Sequence, residues 1–330
     1  IPQFQHSKFP GSNPVLNGRR PEDSAHNETC FLPSVRSFMH SLPKSDREKR
    51  RLVWETTRAM LEADNFKHRK YGEKRKRRWS LFEFLIQVFY QGLKVSPLYP
   101  IGVRNAKEIV VYEISLYFDN LPERFHGYRL LHMTDLHLDL IPETAQSICR
   151  RIDALEVDSC VLTGDYRNKV GGGFKNILGP MRQVVAGVRA RDGIFATFGN
   201  HDSYLMTPYF EQMGIRMLNN ETVGISRGSE RIWLTGLDDP YYYFTDQAIL
   251  SLEEAPAGFK IVLVHAPSLF DIASASGYHL YLCGHTHGGQ ICLPGGFPII
   301  RHLRYGRQYY RGRWQHGRMT GYTGQGLSLI

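Results

Sequence analysis

Five short segments combine carboxylates, imidazoles and one carboxamide in a pattern suited to metal chemistry: Thr134-Asp135-Leu136-His137, Gly164-Asp165, Gly199-Asn200-His201-Asp202, Val264-His265-Ala266-Pro267 and Gly284-His285-Thr286-His287. A lone Asp-x-His or Gly-Asp arises by chance in many chains; five in this order do not. Mixed oxygen and imidazole donors suit manganese, iron or zinc, whereas magnesium or calcium would take mostly oxygen. A carboxylate can bridge two cations. Two cations about 3.5–4 Å apart can clamp an attacking and a leaving oxygen and bring the pKa of a shared water toward neutrality.

Each segment follows an apolar run that reads as a buried strand, at residues 129–133, 160–162, 194–198, 261–264 and 280–283. These runs are separated by stretches of helical spacing such as residues 174–190, which predicts βαβ units rather than hairpins. In such α/β folds the ligand crevice lies at the carboxyl ends of the strands. All five polar segments fall there.

In order and spacing the segments resemble the calcineurin-like metallophosphoesterases, whose signature runs Asp-x-His, Gly-Asp, Gly-Asn-His-Asp/Glu, His and Gly-His-x-His. The resemblance spans residues 108–326. It implies an α/β fold, a four-layer αββα sandwich with two divalent metal ions between the central sheets, manganese first and zinc or iron as alternatives. It also implies that Asp135, His137, Asp165 and His287 hold the first ion. Asp165, Asn200, His265 and His285 would hold the second, with Asp165 bridging.

By the same resemblance His201 is catalytic: it stabilises the phosphoryl oxygen and protonates the leaving alkoxide, help typically worth about 10²–10⁴-fold. Asp202 is expected to orient or charge-stabilise that imidazole. Of the remaining histidines, His6, His26, His40, His68, His126, His279, His302 and His316 have no comparable context, and His132 alternates with strand core residues. These nine read as structural.

Gly288-Gly289-Gln290, Gly236-Leu237-Asp238-Asp239-Pro240 and Tyr305-Gly306-Arg307-Gln308-Tyr309 resemble a bacterial branch of the superfamily. It contains membrane-associated phosphodiesterases, a cell-wall-associated enzyme, and one class of UDP-2,3-diacylglucosamine pyrophosphatases of lipid A synthesis. That branch often carries an acidic residue three positions after the bridging aspartate, where this chain has Asn168. The chain stops at Ile330 inside what resembles a final strand that usually continues, as expected of a fragment.

At 330 residues and 42% hydrophobic the chain can bury a substantial core, and about 220 residues is a reasonable size for one two-sheet domain. Five cysteines, an odd number without a Cys-x-x-Cys pair, argue against a disulfide framework and for a reducing compartment. The net charge of +9 lies entirely in residues 1–100, with 19 Lys+Arg against 10 Asp+Glu; the rest is balanced at 22 of each. The expected organisation is a basic, partly disordered extension over 1–79, an amphipathic interfacial helix and linker over 80–105, and a metallophosphoesterase domain over 106–330. Residues 1–45 are too polar and aperiodic to pack a core, and no secretory signal is read there.

Within the extension, residues 45–63 read as a charged helix with Leu52, Val53, Met60 and Leu61 on one side. Residues 67–78 carry eight basic side chains and one acidic one, directly before an aromatic-rich run in which Ser80 and Glu83 have capping-box spacing. About 14 apolar-rich residues cannot cross a hydrocarbon core that needs roughly 20, but they can lie in its surface. The chain is therefore expected to be a cytoplasmic enzyme, peripherally associated with the inner membrane, that cleaves a phosphodiester or pyrophosphate bond of a lipid-linked nucleotide such as UDP-2,3-diacylglucosamine. The alternatives are a nuclease or nucleotide phosphodiesterase whose basic run follows a nucleic-acid backbone, and a non-catalytic scaffold of the same fold.

Overall fold

The computed structural model describes residues 47–71, 108–289 and 305–327 continuously, with scattered residues of 84–104 and 292–303. Expectations for residues 1–46 and for the chain end after Leu327 lie outside the described residues.

A long helix, α1 (Arg47–Tyr71), precedes the sheet-forming region. There, β1 (Leu130–Met133), β3 (Ser159–Thr163), β5 (Ile194–Thr197) and β6 (Ile215–Met217) form an all-parallel sheet in the order β1-β3-β5-β6, while β2 (Glu156–Val157) and β4 (Arg189–Ala190) form a short parallel pair of their own. The second sheet has the order β13-β14-β10-β9-β8-β7. Its strands are β7 (Glu221–Arg227), β8 (Glu230–Gly236), β9 (Phe259–Leu263), β10 (Leu280–Cys283), β13 (Gly312–His316) and β14 (Met319–Thr323). It is parallel at its centre and antiparallel at both edges. A two-stranded ribbon, β11 (Cys292–Leu293) with β12 (Phe297–Pro298), lies between β10 and β13 in the chain.

Alternation along the strands divides the core into three layers of contact. Val161 of β3, Ile261 and Leu263 of β9, and Leu280 and Leu282 of β10 meet in one cluster between the two sheets. Their neighbours Cys160 and Leu162 face outward, onto α2 (Thr144–Ile152) and α3 (Lys175–Ala186). Val262, Tyr281 and Cys283 face outward from the other sheet, onto α5 (Asp246–Glu253) and α6 (Phe270–Ala275); α4 (Thr207–Gln212) lies between β5 and β6 in the chain. The helices answer with stripes at helical spacing, Ala145, Ile148 and Ile152 on α2 and Ile177, Met181 and Val184 on α3. Helices outside two face-to-face sheets make the four-layer αββα sandwich.

The expected strands match observed ones to within two residues at each end. The helix predicted over 174–190 ends at Ala186, because Gly187 closes its last turn on the carbonyls of Gln183 and Val184 and the next residues pair with β2.

α1 exceeds the expected helix and buries a different face. Leu52 and Met60 are 63% and 69% exposed, while Trp54 and Arg58 are buried. Their side chains meet a buried carboxylate, Asp238, which aliphatic side chains could not pair, and an uncompensated buried charge is strongly destabilising. Of the amphipathic helix and linker expected over 80–105, the described residues Phe84, Gln87, Val88, Gln91 and Gly92 are helical and exposed; where that helix begins lies outside the described residues. Among described residues no helix is long and apolar enough to cross a membrane.

Candidate metal centre

All five motif segments leave their strands on one side of the sandwich, because β1, β3, β5, β9 and β10 run parallel within their sheets. Pairing continues beyond the strand ends: Asp135 N donates to Gly164 O at 3.0 Å, His137 N to Asp165 O at 3.1 Å and Gly284 N to His265 O at 2.8 Å. Five candidate ligands then adopt left-handed backbone, with φ of 52° at Asp135, 39° at His137, 56° at Asp165, 71° at His285 and 47° at His287. Such conformations cost about 1–3 kcal/mol each and persist where the surroundings over-determine them. Here they turn polar side chains inward. Two glycines make room, since a Cβ at Gly199 would overlap the Asp165 carboxylate and one at Gly284 would overlap that of Asp135.

The seven predicted ligands converge. Asp135 Oδ1 lies 3.2 Å from His287 Nε2, which lies 3.4 Å from His137 Nε2. Asp165 Oδ2 lies 3.2 Å from His265 Nε2. Asn200 Oδ1 is 3.1 Å from His265 Nε2 and 3.0 Å from His285 Nδ1. Asp135, His137 and His287 form one group of donor atoms within 4.8 Å of one another, and Asp165, His265 and His285 form another; His137, Asp165 and His201 link them.

Backbone carbonyls fix three of the rings. Nδ1 of His137 donates to Arg167 O at 3.0 Å, Nδ1 of His265 to Thr163 O at 2.8 Å and Nδ1 of His201 to Asn168 O. A carbonyl only accepts, so in each neutral ring Nε2 keeps its lone pair for the centre, the arrangement by which protein groups orient metal-binding imidazoles. Buried Asp135 Oδ1 has the His287 ring, 3.2 Å away, as its partner and accepts no other hydrogen bond. That oxygen, beside imidazoles whose Nε2 atoms converge, fits divalent cations in two adjoining positions.

The charges interlock. Burial pushes the Asp165 carboxyl up, but the His265 and His201 rings outweigh it and hold the group well below the usual carboxylate range. His287 does the same for Asp135. Burial lowers His265, yet Asp165 carries it, net, up to about 10. A raised histidine contributes stability that is fully present below its ordinary 6.5 and is lost as pH rises through about 10. Asp202 and Asp239, raised by burial to about 6, lose most of their protons below or at the foot of that window, so the greater part of it belongs to the histidines. Chelated protein should therefore lose melting temperature between pH 6.5 and 10, whereas manganese-loaded protein, whose imidazoles bind neutral, should not. Parallel melting curves with and without chelator across that range would contradict the assignment of His265.

Asp202 corrects an expectation. Its carboxylate accepts from the backbone amides of Asp165 at 2.8 Å, Tyr166 at 2.9 Å and Gly199 at 2.8 Å, and the His201 ring is served by Asn168 O. Adjacent side chains leave this turn in different directions, so Asp202 positions the loops and does not orient the imidazole. Residues 166–168 also shape the centre: Arg167 is buried and donates from Nε to His201 O at 2.7 Å, and the carbonyls of Arg167 and Asn168 hold the rings of His137 and His201. His132 is structural, its Nε2 2.9 Å from Thr163 Oγ1 and its pKa pressed by burial to about 4. Sequence reasoning missed Arg58, whose only trace was its position four residues after Trp54 on a charged helix.

Residues 128–289 match the family model for calcineurin-like phosphoesterases. The chain is 29% identical over 213 residues to an uncharacterized metallophosphoesterase of Bacillus subtilis, YkoQ, covering 60% of this chain and 75% of that one. It is 25% identical over 201 residues to the phosphodiesterase YaeI of Escherichia coli, covering 57% and 69%. It is 28% identical over 227 residues to a transmembrane protein with metallophosphoesterase domain of Danio rerio, covering 60% and 47%. A two-sheet sandwich with these donors at its strand ends, matched by that family, is a calcineurin-like metallophosphoesterase domain, and the chain is a metal-dependent phosphoester hydrolase of that superfamily.

Proposed function

We propose that the chain hydrolyses phosphodiester or pyrophosphate bonds with two divalent cations, manganese first and zinc or iron as alternatives. Asp135, His137, Asp165 and His287 would hold one cation; Asp165, Asn200, His265 and His285 would hold the other. The observation that best supports this reading is that Asp165 reaches both halves of the cluster. It lies within one donor group with His137 and within another with His265 and His285. When bound, two such cations offset charge on a phosphoryl oxygen and make a water between them more acidic.

In this reading His201 serves the leaving group. Its Nδ1–H is committed to Asn168 O, while Nε2 stands 3.8 Å from Asp165 Oδ2 at the edge of the centre. Protonated, Nε2 delivers its proton to the departing oxygen; neutral, it takes one back from solvent. Asn168 O accepts the other N–H in both states, so the ring need not turn over during the cycle.

The substrate proposed is a lipid-linked nucleotide of the UDP-2,3-diacylglucosamine type, met at the cytoplasmic face of the inner membrane by a peripherally bound enzyme. Phe84 and Val88, four residues apart on a helical segment, are 61% and 52% exposed, and the basic run at 67–78 precedes them. Apolar side chains beside Lys and Arg suit an anionic lipid surface, where each basic residue adds about 1 kcal/mol. The Danio rerio relative places such a domain in a transmembrane protein.

The test is turnover of a UDP-linked diacyl-sugar in anionic vesicles beside a soluble aryl phosphodiester. Glutamine at Lys74, Arg75, Lys76, Arg77 and Arg78 should lower vesicle binding and lipid turnover about tenfold or more and spare the soluble diester, with the loss mimicked by high salt. Equal loss on both substrates would contradict the membrane reading, and cleavage of nucleic acid that depends on the same residues would replace it with a nuclease.

A further inference from the structure

Helix α1 lies outside residues 128–289, yet it grips the loop that carries Asn200 and His201. Arg58 is 1% exposed. Its Nη2 donates to Asp202 O at 2.9 Å and reaches Gly199 O at 3.4 Å, so one guanidinium spans both ends of the four-residue turn. Nη1 binds the carboxylate of Asp238, Nε binds Glu62 at 2.9 Å, and the cation lies 3.3 Å from the centre of the Tyr243 ring.

Two further α1 residues extend the grip. Trp54 donates to Asp238 Oδ2 at 2.7 Å and stacks on Phe198, the residue before the turn, at 6.2 Å between ring centres. Glu62 accepts from Ser203 Oγ and Tyr204 N, both at 2.8 Å, just after it. Trp54, Arg58 and Glu62 are spaced four apart and form one stripe along the helix. From its other side the turn is pressed against Asp165, which leaves no room for a Cβ at Gly199, and is tied there by the carboxylate of Asp202.

We propose that α1 is a working part of the active site and that Arg58 is a positioning residue, holding the turn so that Asn200 and His201 keep their places. This rests on the roles given above to those two residues. Asp238, within a motif singled out in the sequence, anchors the arrangement by taking both Trp54 and Arg58. Arginine is required because a planar guanidinium reaches a carboxylate and two carbonyls at once. Lysine keeps the charge opposite Asp238 but not that geometry.

The experiment compares full-length wild type with Arg58→Lys in three readouts: manganese affinity by calorimetry, kcat and KM on a soluble aryl phosphodiester, and melting temperature. Arg58→Lys should lower kcat about 10²-fold with KM within about threefold. It should weaken one of the two manganese sites about 10–100-fold and leave the other unchanged. Wild-type kcat and two wild-type affinities, whatever the melting temperature, would show that α1 merely packs on the domain. Should Arg58→Lys not fold, Glu62→Gln decides, with a roughly tenfold fall in kcat expected and wild-type kcat overturning the proposal. If wild type binds manganese but cleaves no diester, the hydrolase reading fails, and the affinity difference still decides whether Arg58 positions the turn.

Discussion

Asp165→Asn is expected to lower kcat on any phosphodiester by at least about 10³-fold and to reduce bound manganese below two per chain. Asp165 is the residue common to the two halves of the proposed cation site, and its Oδ1 also accepts the amide of His201 at 3.0 Å. Asparagine preserves that hydrogen bond and the side-chain volume, so the loop keeps its shape while the charge disappears. A second effect follows in the chelated protein. Without the carboxylate that does most to raise it, His265 loses its proton at lower pH, and the fall in melting temperature between pH 6.5 and 10 should shrink, with His287 beside Asp135 still contributing to it. A variant that binds two manganese ions and keeps a tenth or more of the activity would contradict the bridging role.

His201→Ala should lower kcat about 10²–10⁴-fold while both manganese ions remain bound. The ring stands at the edge of the cluster, tethered through Nδ1 and 3.8 Å from Asp165. Its loss removes a proton donor and leaves the seven donor side chains in place. Dependence on the leaving group separates this role from a structural one. A nitrophenolate departs without a proton, so its ester should suffer least, and an alkyl ester should suffer most. Equal losses on both esters, or loss of bound metal, would assign His201 to holding the site together.

The candidate site was legible in the sequence because its parts are local. Each ligand follows a short apolar run, and runs such as 280–283 alternate between the inter-sheet core and the helix-covered face, so the strand that delivers a ligand can be read beside it. The four layers were legible only through the family resemblance, because the run 280–283 is apolar throughout and only the structure shows Leu282 turning inward and Tyr281 outward. What escaped is what depends on distant partners. Arg58 and Asp238 are 180 residues apart, and a charged helix gives no sign that its arginine is buried while Leu52 is exposed. Asp202 was misjudged for the opposite reason: adjacency to His201 suggested partnership, but the turn sends its carboxylate toward three backbone amides. At position 168, where the branch often carries an acidic residue, it is the backbone carbonyl of Asn168 that receives the His201 ring.

If the cluster around Asp165 hydrolyses phosphodiesters with two cations, a titration of chelated, full-length protein with manganese, reading bound ions and turnover of an aryl phosphodiester in the same samples, will show it. Two ions per chain should bind, with turnover appearing as the second site fills and disappearing on renewed chelation. Two bound ions with no cleavage of any phosphodiester or pyrophosphate would contradict the account.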